Sequence, residues 1–179
     1  MDEKQLVAQL RDKHTIDKAF RTLMSEYKER LYWHIRKIVI THDDADDVLQ
    51  NTFIKVYRNI HNFKGDSKLY SWMYRIATNE SISYLKKQAK HRQIESEELQ
   101  LLRVNNLKAD VYFDGNEIQY KLQQAVAQLP QKQQLVFNMK YFDNMKYDAI
   151  SEILETSVGG LKASYHHAVK KIEKILTGG

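Results

Sequence analysis

The stretch Asp43–Lys87, DDADDVLQNTFIKVYRNIHNFKGDSKLYSWMYRIATNESISYLKK, decides how the rest of the chain is read. It predicts a helix with an acidic start, a short glycine-containing connection, and a second helix dense in aromatic and cationic side chains. At helical spacing Ala45, Val48, Leu49, Thr52, Phe53, Val56 and Ile60 share one side of the first helix, and Asp43, Asp47, Gln50, Asn51, Ile54 and Arg58 share the other. The first set is a core face. The second is a carboxylate–amide surface with one apolar residue, Ile54, in its middle. It fits either an ordinary solvated helix face or a docking surface for a large protein partner.

The connection, Phe63 to Lys68, is turn-like, with Ser67 the expected N-cap of the next helix. That helix carries Tyr70, Trp72, Tyr74, Arg75 and Asn79 and ends in Lys86 and Lys87. Aromatics interleaved with cations suit nucleic acid: rings stack on bases at roughly 1–3 kcal/mol each, and cations follow the phosphates. Leu69, Trp72, Met73, Ile76 and Ala77 fall on one side and are expected in the core; Tyr74, Arg75, Thr78 and Asn79 lie off that side and remain available.

Working outward, Phe20, Leu23, Met24, Tyr27, Leu31, Ile35 and Ile38 predict a helix over about 14–40, preceded by a polar, frayed start at 1–13. From Gln88 to Asn116 sustained apolar period is lost and acidic residues accumulate, which reads as a linker with one short helix. Val111-Tyr112-Phe113 is a short apolar island before the turn signal Asp114-Gly115-Asn116. Helical stripes return with Ile118–Leu129, Leu135–Phe142 and Tyr147–Leu154. A tight turn, Glu155-Thr156-Ser157, then leads into a last amphipathic helix with a basic end, so the pair reads as a helix-turn-helix with Ser157 as N-cap.

Three groups of residues carry a family resemblance. They are Asp44–Phe53 with Phe63–Ser67, Trp72–Asn79, and Leu129–Phe137 with Ser157–Lys171. In this order and spacing they resemble regions 2 and 4 of a bacterial RNA polymerase sigma factor of the small extracytoplasmic-function (ECF) group. The resemblance implies an all-α fold of two small helical domains, 1–89 and 118–179, joined by a linker at 90–117. It implies docking on the polymerase's largest subunit through Asp44, Asp47, Gln50, Asn51, Ile54 and Arg58. It implies −10 element contacts through Lys64, Gly65, Asp66, Ser67, Lys68, Arg75 and Asn79, and −35 contacts through Lys162, Ala163, His166, His167 and Lys170. The chain departs from the family pattern at Gln134 in place of an arginine, Glu155 in place of a glycine in the turn, and Asn51 in place of a glutamate. Glu155 must either avoid a left-handed backbone or tolerate its cost.

The implied partners are core RNA polymerase, promoter DNA and an anti-sigma factor, with no catalytic chemistry in this chain. The alternative is a self-sufficient DNA-binding regulator using the helix-turn-helix alone; exposure of Ile54 on the acidic helix argues against it. The net charge of +5 favours a polyanionic partner. The absence of cysteine removes disulfides, thiol catalysis and cysteine–zinc sites. Asp43, Asp44, Asp46 and Asp47 do not make a calcium loop, because Val48 and Ile54 stand where its glycine and glutamate are needed. His166 and His167, adjacent on a helix, point about 100° apart and cannot readily share a zinc ion. No metal or cofactor is expected. No apolar run approaches the roughly 20 residues of a membrane span, and Met1–Gln5 does not begin a signal peptide, so a cytoplasmic protein is expected.

Overall fold

The computed structural model describes residues 2–110, 113 and 115–178. Among these every regular element is helical. Helices α1 (Glu3–Arg11), α2 (Ile16–Val39), α3 (His42–Asn59) and α4 (Leu69–His91) form the first lobe. Helix α5 (Ser96–Asn105) follows. The second lobe contains α6 (Glu117–Ala127), α7 (Gln131–Phe137), a π-helical turn (Asn138–Phe142), α8 (Tyr147–Leu154) and α9 (Val158–Thr177). The apolar island Val111-Tyr112-Phe113 lies largely outside the described residues.

The start of the chain is ordered rather than frayed. Asp2 and Gln5 make a reciprocal capping box on α1, and Leu6 and Leu10 are buried in a cluster with Leu23, Val56, Ile60 and Met73. This helix also corrects the expected cap of α4. Lys68, not Ser67, holds the N-cap position and offers no side-chain cap, while Glu3 Oε1 accepts the Leu69 N–H at 3.0 Å. The carboxylate satisfying the first orphan amide thus comes from 66 residues away, which no local pattern signals.

The region expected as a linker does contain a helix, and it is tied to the first lobe. Gln100 of α5 donates to the Ile38 carbonyl at 3.1 Å, and Arg103 donates to the Val39 carbonyl at 3.3 Å. Arg36 adds a 2.6 Å bond to the Ile40 carbonyl. Together they satisfy carbonyls that the end of α2 leaves without intrahelical partners. They also hold Ile40 at φ 77°, a conformation a β-branched residue adopts only when its surroundings enforce it.

The lobes share an apolar cluster. Leu31, Ile35, Val39, Val48, Phe53, Tyr74 and Ala77 from α2–α4 join Val136, Met139, Met145, Ile150, Ile153 and Leu161 from the second lobe. The packing of α8 on α4 carries much of this contact. Tyr74 and Thr78, expected to remain available on α4, are each 2 % exposed, Tyr74 packing on the His34 ring of α2 and Thr78 meeting His34 Nε2. Trp72, expected in the core, is half-buried against Phe63 with ring centroids 5.4 Å apart. Within the second lobe, Gln134 does structural work where a family arginine would stand. Its amide donates to the Leu129 carbonyl at 2.8 Å and the Ala127 carbonyl at 3.3 Å, closing the end of α6.

Candidate functional site

Helix α3 presents the predicted stripe. Asp47, Gln50, Asn51, Ile54 and Arg58 are exposed, and Ile54 keeps 47 % of its surface in contact with solvent. The stripe borders an open groove of about 890 Å³ between α2 and α3, floored by Phe20, Met24, Leu49 and Phe53 and edged by Lys28, Gln50 and Arg58. An apolar floor with charged rims suits an amphipathic helix laid along it.

Asp44, the sixth residue expected to dock, differs from its neighbours in already having partners within the chain. It is only partly exposed and accepts from Thr41 Oγ1 at 2.6 Å and Tyr84 OH at 2.7 Å, and it pairs with Arg103 at 2.5 Å. Burial and the bond to Asp44 push the Tyr84 phenol up to about 12. The acid therefore joins the start of α3, the middle of α4 and the helix α5. Arg103 and Tyr84 are residues that sequence reading missed, and their spacing carried no signal for it.

The connection ahead of α4 leaves Lys64, Gly65, Asp66 and Lys68 exposed and Ser67 half-buried, with Gly65 in the left-handed region at φ 84°. Asn79 is exposed on α4. Arg75 is not free: Nη2 donates to the Glu152 carbonyl of α8 at 2.7 Å and lies 3.4 Å from the Glu155 carboxylate.

The helix-turn-helix forms as expected. Ser157 Oγ accepts the Gly160 N–H at 3.1 Å and caps α9. Glu155 takes the left-handed conformation, φ 54° and ψ 42°, so it tolerates the cost rather than avoiding it. A Cβ on Gly160 would press on Ser157 Oγ at 3.1 Å and Thr156 Cγ2 at 3.2 Å, whereas Gly159 faces open space. Lys162, Ala163, His166, His167 and Lys170 are all exposed on α9. Leu161, Ala168 and Ile172 are buried on the opposite face.

A third constellation lies between the lobes. Asp143 pairs with Lys37 at 3.0 Å and lies 3.5 Å from His34 Nδ1. Burial pushes the Asp143 carboxyl up, but its contacts to His34 and Lys37 outweigh this and hold it below the usual carboxylate range. The Thr78 hydroxyl donates to the Tyr74 carbonyl, so the proton between Thr78 and His34 Nε2, 2.7 Å apart, is the imidazole's.

Among the described residues no group of acids and histidines is arranged to hold a metal ion, and no helix is long and apolar enough to cross a membrane.

Comparison with known proteins agrees with this two-part layout. Residues 23–91 match the sigma-70 region 2 family and residues 119–172 match sigma-70 region 4. The ECF RNA polymerase sigma-E factor of Haemophilus influenzae is 30 % identical over 164 residues, 87 % of this chain and 86 % of that protein. The ECF sigma factor SigW of Bacillus subtilis is 29 % identical, covering 88 % and 89 %. The fold is shared with CnrH, solved in complex with the cytosolic domain of CnrY, at a TM-score of 0.71 and 19 % identity over 98 % of this chain and 97 % of that one. It is also shared with RpoE of Bartonella quintana, solved with the anti-sigma factor NepR, at 0.68 and 18 % over 89 % and 98 %. The chain belongs to the ECF RNA polymerase sigma factors.

Proposed function

We propose that this chain binds core RNA polymerase, selects promoters by their −10 and −35 elements and promotes their opening. The observation that carries the reading is the pair of outward faces in one chain: the carboxylate–amide stripe of α3 beside its groove, and the polar face of α9 behind a well-capped turn. Asp47, Gln50, Asn51, Ile54 and Arg58 dock on the polymerase, with Asp44 positioning α3 from within. Lys64–Lys68, Arg75 and Asn79 meet the −10 element. Opening DNA costs a few kcal/mol per unstacked step, so a group that captures an unstacked base is chemically required, and the Asn79 amide offers both donor and acceptor.

On α9, Lys162, Ala163, His166 and His167 face base edges of the −35 element, and Lys170 meets phosphate. The open space at Gly159 lets the DNA backbone approach the helix start. The working units are 1–89 and 118–179, with 90–117 between them. The polymerase makes the bonds; this chain supplies recognition, in the cytoplasm. An anti-sigma factor, the kind of partner solved with RpoE, completes the partner set. Run-off transcription with purified core polymerase on fragmented genomic DNA tests the reading: transcripts with shared upstream elements are expected only when the chain is added.

A further inference from the structure

We propose that Tyr147 is the positioning residue for Lys162, its ring holding the ammonium of this recognition-helix lysine so that it meets the −35 element in one orientation. This rests on the reading of Lys162 as a base contact. Tyr147 opens α8 and is half-buried, while Lys162 is exposed near the start of α9. Lys162 Nζ lies 5.8 Å from the centroid of the Tyr147 ring, within reach of a cation–π contact. A second cation fixes the same ring. Lys140 Nζ lies 4.5 Å from its centroid and donates to the Met145 carbonyl at 3.3 Å. A chain of contacts thus runs from the π-helical turn through the first residue of α8 to the recognition helix. All three side chains belong to the second lobe, so the chain of contacts travels with that lobe.

The side chain of lysine explains why such a device matters. An ammonium is a point charge on a flexible four-carbon stem, so alone it distinguishes a base edge from a phosphate poorly. A ring face attracts the ammonium without consuming its three N–H donors, which stay available for acceptors on a base edge. In a helix-turn-helix the first helix crosses the DNA backbone while the start of the second enters the groove. Tyr147 and Lys162 meet where those two approaches converge. A cation–π contact at an exposed site is weak, so its consequence is sequence preference rather than stability.

The test is promoter selection by holoenzymes on a library randomised in the −35 element. It compares the native chain with Lys162→Ala, Tyr147→Leu, Tyr147→Met, Tyr147→Phe and Tyr147→Leu/Lys162→Ala. Leu and Met keep an apolar side chain at position 147 and remove the ring; Phe keeps the ring. Lys162→Ala is expected to lower discrimination about tenfold at one −35 position, the scale of a lost base contact. Tyr147→Leu and Tyr147→Met should lower it about threefold at that same position, the scale of an exposed cation–π contact. Tyr147→Phe should keep the native preference, and Tyr147→Leu should change nothing further there once Lys162 is absent. If Lys162→Ala leaves the −35 ranking intact, the reading of Lys162 as a base contact fails and the proposal with it. If Lys162→Ala changes the ranking while Tyr147→Leu and Tyr147→Met do not, only the positioning fails. Variants of Tyr147 that weaken every sequence alike, with the ranking kept, also overturn it, because the ring is then a packing residue. An equal loss at that position with and without Lys162 overturns it as well.

Discussion

Lys37 on α2 and Asp143, in the turn ahead of the helix-turn-helix, form an ion pair at 3.0 Å that joins the two lobes, with both side chains mostly buried. Residues 106 apart in the chain thus fix where the second lobe sits on the first. Asp143→Asn should cost about 2 kcal/mol at pH 7, the scale of a hydrogen bond to a charged partner. The carboxyl is held below its unfolded value, so its contribution is complete above roughly pH 4 and fades as pH falls through the folded value. Urea denaturation of native and Asp143→Asn proteins should therefore differ at pH 7, and the difference should shrink progressively as the pH is lowered below about 4.

The closed arrangement must open to work. A compact chain of this length has a radius of gyration of about 16 Å, so a diameter of about 40 Å. The −10 and −35 elements, named for positions about 25 base pairs apart, are separated by about 85 Å of duplex at roughly 34 Å per ten base pairs. With no native cysteine, Lys37→Cys/Asp143→Cys can be tethered cleanly by a short bis-methanethiosulfonate. The tethered protein should give no run-off transcript with core polymerase, and dithiothreitol should restore it. Equal transcription before and after reduction would contradict the opening.

Two acids three residues apart should behave differently. Asp47→Lys should weaken binding to core polymerase while changing stability by no more than about 0.5 kcal/mol, because its side chain is exposed. Asp44→Ala should lower stability by about 2 kcal/mol through loss of its contacts to Thr41, Tyr84 and Arg103. Denaturant midpoints and core-binding titrations on both variants separate the roles. Matching stability losses would show that Asp44 is no more structural than Asp47.

Asn79 and Lys170 should divide specificity from affinity. Both are exposed, on α4 and α9 respectively. An amide can pair with a base edge, so Asn79→Ala should reorder −10 preferences by roughly 1–3 kcal/mol at one position. A lysine on phosphate carries no sequence information, so Lys170→Ala should weaken all promoters alike and flatten the salt dependence by about one unit of slope. Holoenzymes on a randomised promoter library at two salt concentrations provide both readings. Intact −10 ranking in Asn79→Ala, or reordered −35 preference in Lys170→Ala, would refute the assignment.

By itself the sequence determined the helical class, the helix-turn-helix with its Ser157 cap and the exposed stripe of α3. Each follows from spacing within one helix or turn, where 3.6-residue periodicity and local capping chemistry suffice. Only the tertiary structure decided that Asp44 is occupied, that Glu3 caps α4, that Tyr74 and Thr78 are buried, and that Arg75 faces Glu155. Those contacts join residues 40 to 80 positions apart. They depend on which helix faces pack together, a matter of shape and burial over the whole chain that no local pattern encodes.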